Sequence, residues 1–390
     1  MDDFKRINDS MGMIAGDEIL QAFGLFLRDL QSEDIIVSHF NDDIYYLAIY
    51  NPYGNHNVDA VYRKIGQRTE QPFQMMGNIE QKITVSIGVA NYPESARNSL
   101  EIINCAEIVQ SQKKESGTNS IAYFEAPILT DFIENIQIEN KLKEAIEDHA
   151  FELYYQPQYD AGSKKLRGVE ALIRWRGQDG KFVSPAVFIP LAEKDGLIVQ
   201  IGNWVLEEGI RVYADWYQKY GYPMVLSLNI SALQYKKADF VHHLLVLIEK
   251  YQVDPALIEL EITESVLIED FNSVVDKLNT LKEYGIKISL DDFGTGFSSL
   301  SYLKGLPIDT LKIDKSFIDT VINDHPTRVI TESIIAMVKK LGCETVAEGV
   351  ETQEQYDYLK AVNCDNIQGF LLGKPMPAEG VEKILSSIKN

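Results

Sequence analysis

The sequence predicts an α/β protein of two domains, the second either an α/β barrel or a doubly wound sheet. Three observations carry this. From Phe151 onward, short aliphatic strands alternate with helical segments, the rhythm of repeated βα units. Five of those strands set aliphatic residues on one face and a charged or amide residue on the other, near the C-terminal end. A separate run of helices and strands precedes them and closes in a long amphipathic helix. A chain of 390 residues has room for two cores.

In chain order, GDEILQAFGLFLRDL (16–30) is helical by its apolar spacing. IYYLAIY (44–50) and KITVSIGVANY (82–92) are rich in β-branched and aromatic residues and predict strands. SLEIINCAEIVQSQKKESG (99–117) predicts a helix stopped by Gly117. DFIENIQIENKLKEAIEDHA (131–150) predicts a connecting helix, with Pro127 just before it. The domains are then 1–126, a connector at 127–150, and 151–390. Ser184 before Pro185 and Asp254 before Pro255 read as helix caps. The later strands are RGVEALIRW, MVLSLNIS, LIELEITES, GIKISLDD, DTLKID and CETVAEGV, together with FELYYQPQY and DNIQGF.

Strand side chains alternate faces. Val169, Ala171 and Ile173 oppose Glu170, and Leu226, Leu228 and Ile230 oppose Asn229. Ile258, Leu260 and Ile262 oppose Glu259 and Glu261, and Ile286, Ile288 and Leu290 oppose Asp291. Leu311 and Ile313 oppose Thr310, Lys312 and Asp314. Strands covered by helices on both faces should be aliphatic throughout. Repeated polar residues there need partners to offset their desolvation. In a barrel the polar face is the lumen, and such groups gather at the C-terminal mouth. An all-oxygen set suits magnesium or manganese better than zinc. His242 and His243 do not line up with the strand ends and read as a helix surface.

The adjacent Asp291 and Asp292 fit the same picture. At a strand's end, where the chain turns, both can face one site and hold two cations, with Asp291 as the bridge. Cations remove the repulsion that would otherwise protonate one acid. Two metals can clamp the attacking and leaving oxygens of a phosphodiester.

Composition narrows the rest. Net charge is −21, from 58 acids and 37 bases, which argues against nucleic-acid polymers and anionic lipid as partners. Cys105, Cys343 and Cys364 make no disulfide framework and no metal motif, and read as inert thiols of a cytoplasmic protein. No run is long and apolar enough to span a membrane. The abrupt start, MDDFKRINDSMG, reads as a chain lacking upstream modules, through which it would be tethered.

These motifs resemble the EAL-domain cyclic-di-GMP phosphodiesterases. EALIRW looks like the naming signature, and YYQPQY, FIPLAE, NISALQ, ELEITES, DDFGTGFSSL, LKIDKSFI, AEGVET, QGF and PMP follow the family's order. The resemblance covers roughly residues 130–388. It implies a (β/α)8-type barrel that hydrolyses cyclic di-GMP to linear pGpG with two magnesium or manganese ions. By motif, Glu170, Asn229, Glu261 and Asp291 would hold one metal, and Asp291 and Asp292 the second. Lys312 would bind the attacking water. Glu348 and Gln368 would complete the water and metal network, Glu264 would anchor the DDFGTGFSSL loop, and Glu351 would support the site from behind. Gln156, Leu172 and Arg174 would touch the dinucleotide, Arg174 at a phosphate.

Residues 1–125 resemble the GGDEF diguanylate cyclase fold through FKRINDSMGMIAGD, ITVSIGVANYP and KKESGTN. The signature loop departs. The chain reads NDDIY at Asn41 to Tyr45, without the glycines that admit phosphates, and Ile44 stands at the catalytic glutamate. The first metal-binding aspartate would fall before Met1, and the inhibitory RxxD site is absent at Ser32 to Ile35. The resemblance therefore implies a dead cyclase serving as a regulatory or dimerisation module of a homodimer. Asn8 and Asp17 match guanine-contacting positions, which leaves GTP as a ligand. Two other readings stand beside the active phosphodiesterase. One is an inactive cyclic-di-GMP receptor. The other is a barrel aldolase using Lys312 as an amine, which the surrounding carboxylates disfavour.

Overall fold

The computed structural model describes residues 1–390 apart from 3, 51–57, 76–78, 97, 116–118, 178, 264–265, 267–270, 294–304 and 390. Also outside its description are the side chains of 75, 79, 112–115, 126–134, 272 and 292. The chain divides into two compact units, Met1–Ile136 and Gln137–Asn390. The division falls inside the helix Ala126–Glu147. That helix starts earlier than its amphipathic pattern indicates, and Pro127 lies in its first turn, where its missing N–H costs nothing.

In the first unit the helix Met13–Arg28 buries Ile19, Phe23 and Leu27, spaced to fall on one face. They meet Ile35, Val61, Ile65 and Phe73 in a core of their own. Strands β1 (Ile35–Asn41) and β2 (Ile44–Ile49) form an antiparallel hairpin. Asn41 pairs with Ile44, so NDDIY is a hairpin tip, with Asp42 at φ 37°. Short strands β3 (Phe73–Met75) and β4 (Ile79–Gln81) pair antiparallel, and β5 (Ile87–Val89) pairs in parallel with β6 (Ile121–Tyr123). The strand expected over 82–92 is thus confined to Ile87–Val89. Ile83 and Val85 keep the alternating burial that signals a strand. Among the described residues they find no ladder partner.

In the second unit, strands β7 (Phe151–Asp160), β8 (Leu166–Arg176), β10 (Val225–Ile230), β11 (Ile258–Thr263), β12 (Lys287–Phe293), β13 (Thr310–Ile313), β14 (Glu344–Ala347) and β15 (Asn366–Gln368) pair in that order. Since β8 pairs with β10 and β15 pairs with β7, the ring is closed. This is a barrel of eight strands, not a doubly wound sheet. Two-residue β9 (Phe182–Val183) hangs from β8. One strand departs from the (β/α)8 pattern, since β7 runs antiparallel to both neighbours. Only Ala161–Lys165 separates it from β8, too short for the crossover a parallel pair needs.

Val169, Leu226, Leu228, Ile258, Leu260, Ile262, Ile288 and Leu311 point outward and are essentially buried. Each contributes about 1.5–3 kcal/mol. Helix Ile198–Tyr220 covers part of this face with Ile201, Val205, Leu206, Ile210 and Tyr213. Ser184 precedes the helix Pro185–Lys194 without a side-chain cap. Asp254 caps only the single turn Pro255–Leu257, and Asp314 caps the helix Lys315–Thr320 and so leaves the lumen face.

The lumen floor is ionic. Arg167 donates to both oxygens of buried Glu259, at 3.0 and 2.8 Å. Ser227 and Thr310 also donate to Glu259, at 2.9 and 2.7 Å. Arg167 reaches the lumen because the β7–β8 register slips between Gln158 and Tyr159. Such a bulge re-aims a side chain. Burial opposes ionisation of Glu259, but Arg167, Thr310 and Ser227 outweigh it and hold the carboxyl below its usual range. A depressed folded-state pKa stabilises fully above the ordinary value of about 4.3, and that contribution is lost as pH falls through the folded value. The melting temperature of wild type should therefore exceed that of Glu259→Gln near neutrality, and the gap should close in acid. A gap independent of pH contradicts this account.

Candidate active site

Above the floor, each of the eight strands delivers one polar residue to the C-terminal mouth. They are Gln156 on β7, Glu170 on β8, Asn229 on β10, Glu261 on β11, Asp291 on β12, Lys312 on β13, Glu348 one residue past β14, and Gln368 on β15. Strand alternation puts Leu172 and Arg174 on the Glu170 face, further up β8.

Lys312 is the hub. Its Nζ lies 2.6 Å from Glu261 Oε2, 2.7 Å from Glu348 Oε1, and 3.4 Å from both Glu170 Oε2 and Asp291 Oδ2. Its side chain is 1% exposed, Glu261 0%, Asp291 13% and Glu348 18%. The cluster is thus deepest at Lys312 and Glu261 and opens toward Asp291 and Glu348. Asn229 Nδ2 donates to Glu170 Oε1 at 2.7 Å, and Gln368 Nε2 to Glu170 Oε2 at 2.6 Å. Gln368 Nε2 also reaches Gln156 Oε1 at 3.1 Å.

Two glycines set the last two strand ends. Gly349, at φ 67° directly after Glu348, occupies the region that favours glycine. A Cβ on Gly369 would lie 2.1 Å from the Val350 carbonyl oxygen. The backbones after β14 and β15 therefore touch, bonded from Val350 N to Gln368 O at 3.1 Å. That contact fixes Glu348 relative to Gln368.

Four carboxylates around one ammonium leave an excess of negative charge. Burial works against the charge of Lys312, but its four acids outweigh it and hold the ammonium well above its ordinary pKa. This disfavours the free amine that an aldolase needs. Glu170 is held below its usual range: burial raises it, but Lys312 and the bonds from Gln368 and Asn229 prevail. Burial and the charge of Glu170 push Glu261 well up. Burial, with Asp291 and Glu170, overcomes Lys312 and raises Glu348 to about 8. Acids crowded in this way share protons unless a cation takes their place.

The donors fit a hard divalent cation. All are oxygens or an amide, and Glu261 Oε1 is buried without a hydrogen-bond partner. Among the described residues, no group of three or more His, Cys, Asp or Glu is spaced to hold a metal, because the acids close on Lys312 Nζ instead.

Asp291 and Asp292 sit within β12, not at a turn, since the strand continues to Phe293. The backbone is irregular there. Leu290 pairs with Leu311 and Phe293 with Ile313, so β12 carries one extra residue at the acid pair, a bulge. The Asp292 side chain, Glu264 and the GTGFSSL loop lie outside the described residues. Arg174 donates to the Ile173 carbonyl at 2.8 Å and lies 5.7 Å from the Tyr154 ring. Glu351 is half exposed and pairs with Lys315, not Lys312. In the first unit, Asn8 Oδ1 is buried without a partner against Gly16, and Asp17 is exposed.

Gln158 and Arg167 escaped the sequence reading. Gln158 shares the face of Gln156 two residues away, which was a usable signal. Arg167 depends on a bulge that no spacing announces.

The family model for the EAL domain matches residues 139–375. The chain belongs to the EAL domain family. Residues 1–120 match the model described as diguanylate cyclase, GGDEF domain. The signaling protein YkoW of Bacillus subtilis is 37% identical over 98% of this chain and 48% of its own length. MucR of Pseudomonas aeruginosa, named a bifunctional diguanylate cyclase/cyclic di-GMP phosphodiesterase, is 35% identical over 100% of this chain and 56% of its own. The chain spans about half the length of these curated relatives. A solved structure of the PaMucR phosphodiesterase in complex with c-di-GMP is 41% identical, with a TM-score of 0.61, covering 63% of this chain and 99% of that one. No described helix is long and apolar enough to cross a membrane.

Proposed function

We propose that this EAL barrel hydrolyses one phosphodiester of cyclic di-GMP to linear 5′-pGpG. Glu170, Asn229, Glu261, Asp291 and Asp292 would hold two magnesium or manganese ions. The observation that most supports this is the ring of acids within 3.4 Å of Lys312 at the barrel mouth. Bound cations would polarise the phosphoryl oxygens and lower the pKa of water.

The chain's own residues do the remaining work. Water adds across one P–O3′ bond: its oxygen joins phosphorus, and the 3′ oxygen leaves as a hydroxyl. Lys312 holds its carboxylates in register and offsets charge gathering at the attacking oxygen. Glu348, bonded to Lys312 at the open side of the cluster, is placed to take a proton from water. Gln368 keeps Glu170 ionised and oriented through the bond from Nε2. Gln156, Leu172 and Arg174 border the mouth where the dinucleotide lies, with Arg174 meeting a phosphate. Chelation tests the cation requirement: EDTA should stop turnover and manganese restore it, and undiminished hydrolysis in EDTA refutes it.

The GGDEF-like unit serves, in this reading, as a regulatory or dimerisation module of a homodimer. Its NDDIY hairpin lacks the carboxylate and glycines that would bring two triphosphates together. Incubation with GTP and magnesium or manganese should yield no cyclic di-GMP, and any cyclic product overturns this. Asn8 and Asp17 are the positions through which GTP would act. Calorimetry with GTP on wild type and Asp17→Ala decides whether they hold it.

A further inference from the structure

The lumen floor and the acid cluster are joined by an oriented chain of amides. Arg167 NH1 donates to Gln158 Oε1 at 2.7 Å. Gln158 Nε2 donates to Gln368 Oε1 at 2.9 Å. Gln368 Nε2 donates to Glu170 Oε2 at 2.6 Å and to Gln156 Oε1 at 3.1 Å. Gln158 is 0% exposed and Gln368 4%, so water cannot replace a wrong partner.

The direction of the chain is forced at both ends. A guanidinium only donates and an ionised carboxylate only accepts. Arg167 therefore obliges Gln158 to offer its oxygen downward and its amide N–H upward. Gln368 is obliged in turn to face Glu170 with its donor. A reversed Gln368 would set its oxygen against the Glu170 carboxylate and leave buried groups unpaired, which is costly. The bulge that brings Arg167 into the lumen is thus connected to the orientation of Gln368, although the bonds of Arg167 go to Gln158, Glu259, Thr310 and Glu344 and not to the acids around Lys312.

We infer that Arg167 and Gln158 are positioning residues, which hold Gln368 in the orientation that fixes Glu170. This rests on the phosphodiesterase reading of the site and assigns work to residues below it. The competing account is that Arg167 and Gln158 merely fill the floor of the barrel.

Gln158→Glu separates the two. The substitution keeps size and retains an acceptor for Arg167, but removes the donor to Gln368. Full-length wild type and variant are compared for melting temperature, for kcat and KM on cyclic di-GMP with magnesium, and for manganese binding by calorimetry. The variant should stay folded, melt below wild type because a buried acceptor loses its donor, and keep its KM. It should lose about 10- to 100-fold in kcat and in manganese affinity, the usual cost of removing a group that orients a ligand. A folded variant with wild-type kcat and manganese affinity overturns the inference. If Gln158→Glu fails to fold, Gln158→Met, which removes the donor without adding charge, is judged by the same outcomes. If wild type shows no turnover, the phosphodiesterase reading falls and the manganese comparison alone decides the inference. Wild type that also fails to bind manganese overturns both.

Discussion

Lys312→Ala should reduce turnover by about 10²–10³-fold while changing KM little, the scale seen when one preorganised electrostatic group is removed. The ammonium is 1% exposed and sits against Glu170, Glu261, Asp291 and Glu348. Its loss leaves those acids repelling one another with no cation among them. Breaking a buried pair from one side costs about 3–5 kcal/mol, so the metal-free variant should also melt well below wild type. Manganese should recover much of that stability without recovering turnover, because a bound cation relieves the repulsion but does not replace the group facing the attacking oxygen. Steady-state kinetics and melting curves, each with and without manganese, check both halves. A change confined to KM would make Lys312 a substrate-binding residue, and unchanged metal-free stability would remove its role as the hub.

Asp291→Asn should abolish measurable hydrolysis and leave the barrel folded. In the proposed two-cation arrangement Asp291 would be the shared ligand, and its side chain is more open than those of Glu170 and Glu261. Losing one charge there therefore costs cation binding far more than packing. An amide of the same shape keeps an oxygen for one cation but cannot bridge two. Calorimetry should show the wild type taking up two manganese ions and the variant no more than one. Circular dichroism should be unchanged. Substantial hydrolysis by the folded variant contradicts the bridging role.

The site was more legible than the frame that holds it. Glu170, Asn229, Glu261, Asp291 and Lys312 announced themselves because β-strand alternation has a period of two, and a charged residue in an aliphatic run stands out on it. Ring closure was not legible at the level of pattern, since a barrel and a doubly wound sheet share the same repeat, and only the β10–β8 and β15–β7 pairings together separate them. The reversed β7 follows from the shortness of the Ala161–Lys165 connection, a cue present in the sequence but overridden by the repeat around it. The bulges at Arg167 and at Asp291–Asp292 were hidden because one extra residue changes the face of a side chain without changing composition. In the first unit, apolar alternation over 82–92 overstated the strand, which ends where its partner Ile121–Tyr123 ends. Propensity describes one strand, whereas a ladder needs two.

The central claim is tested most directly by incubating the purified chain with cyclic di-GMP and magnesium and identifying the product by mass. The account predicts linear pGpG, formed only with the divalent cation present and absent with Asp291→Asn. Intact cyclic di-GMP after prolonged incubation, or the same product in EDTA, would contradict it.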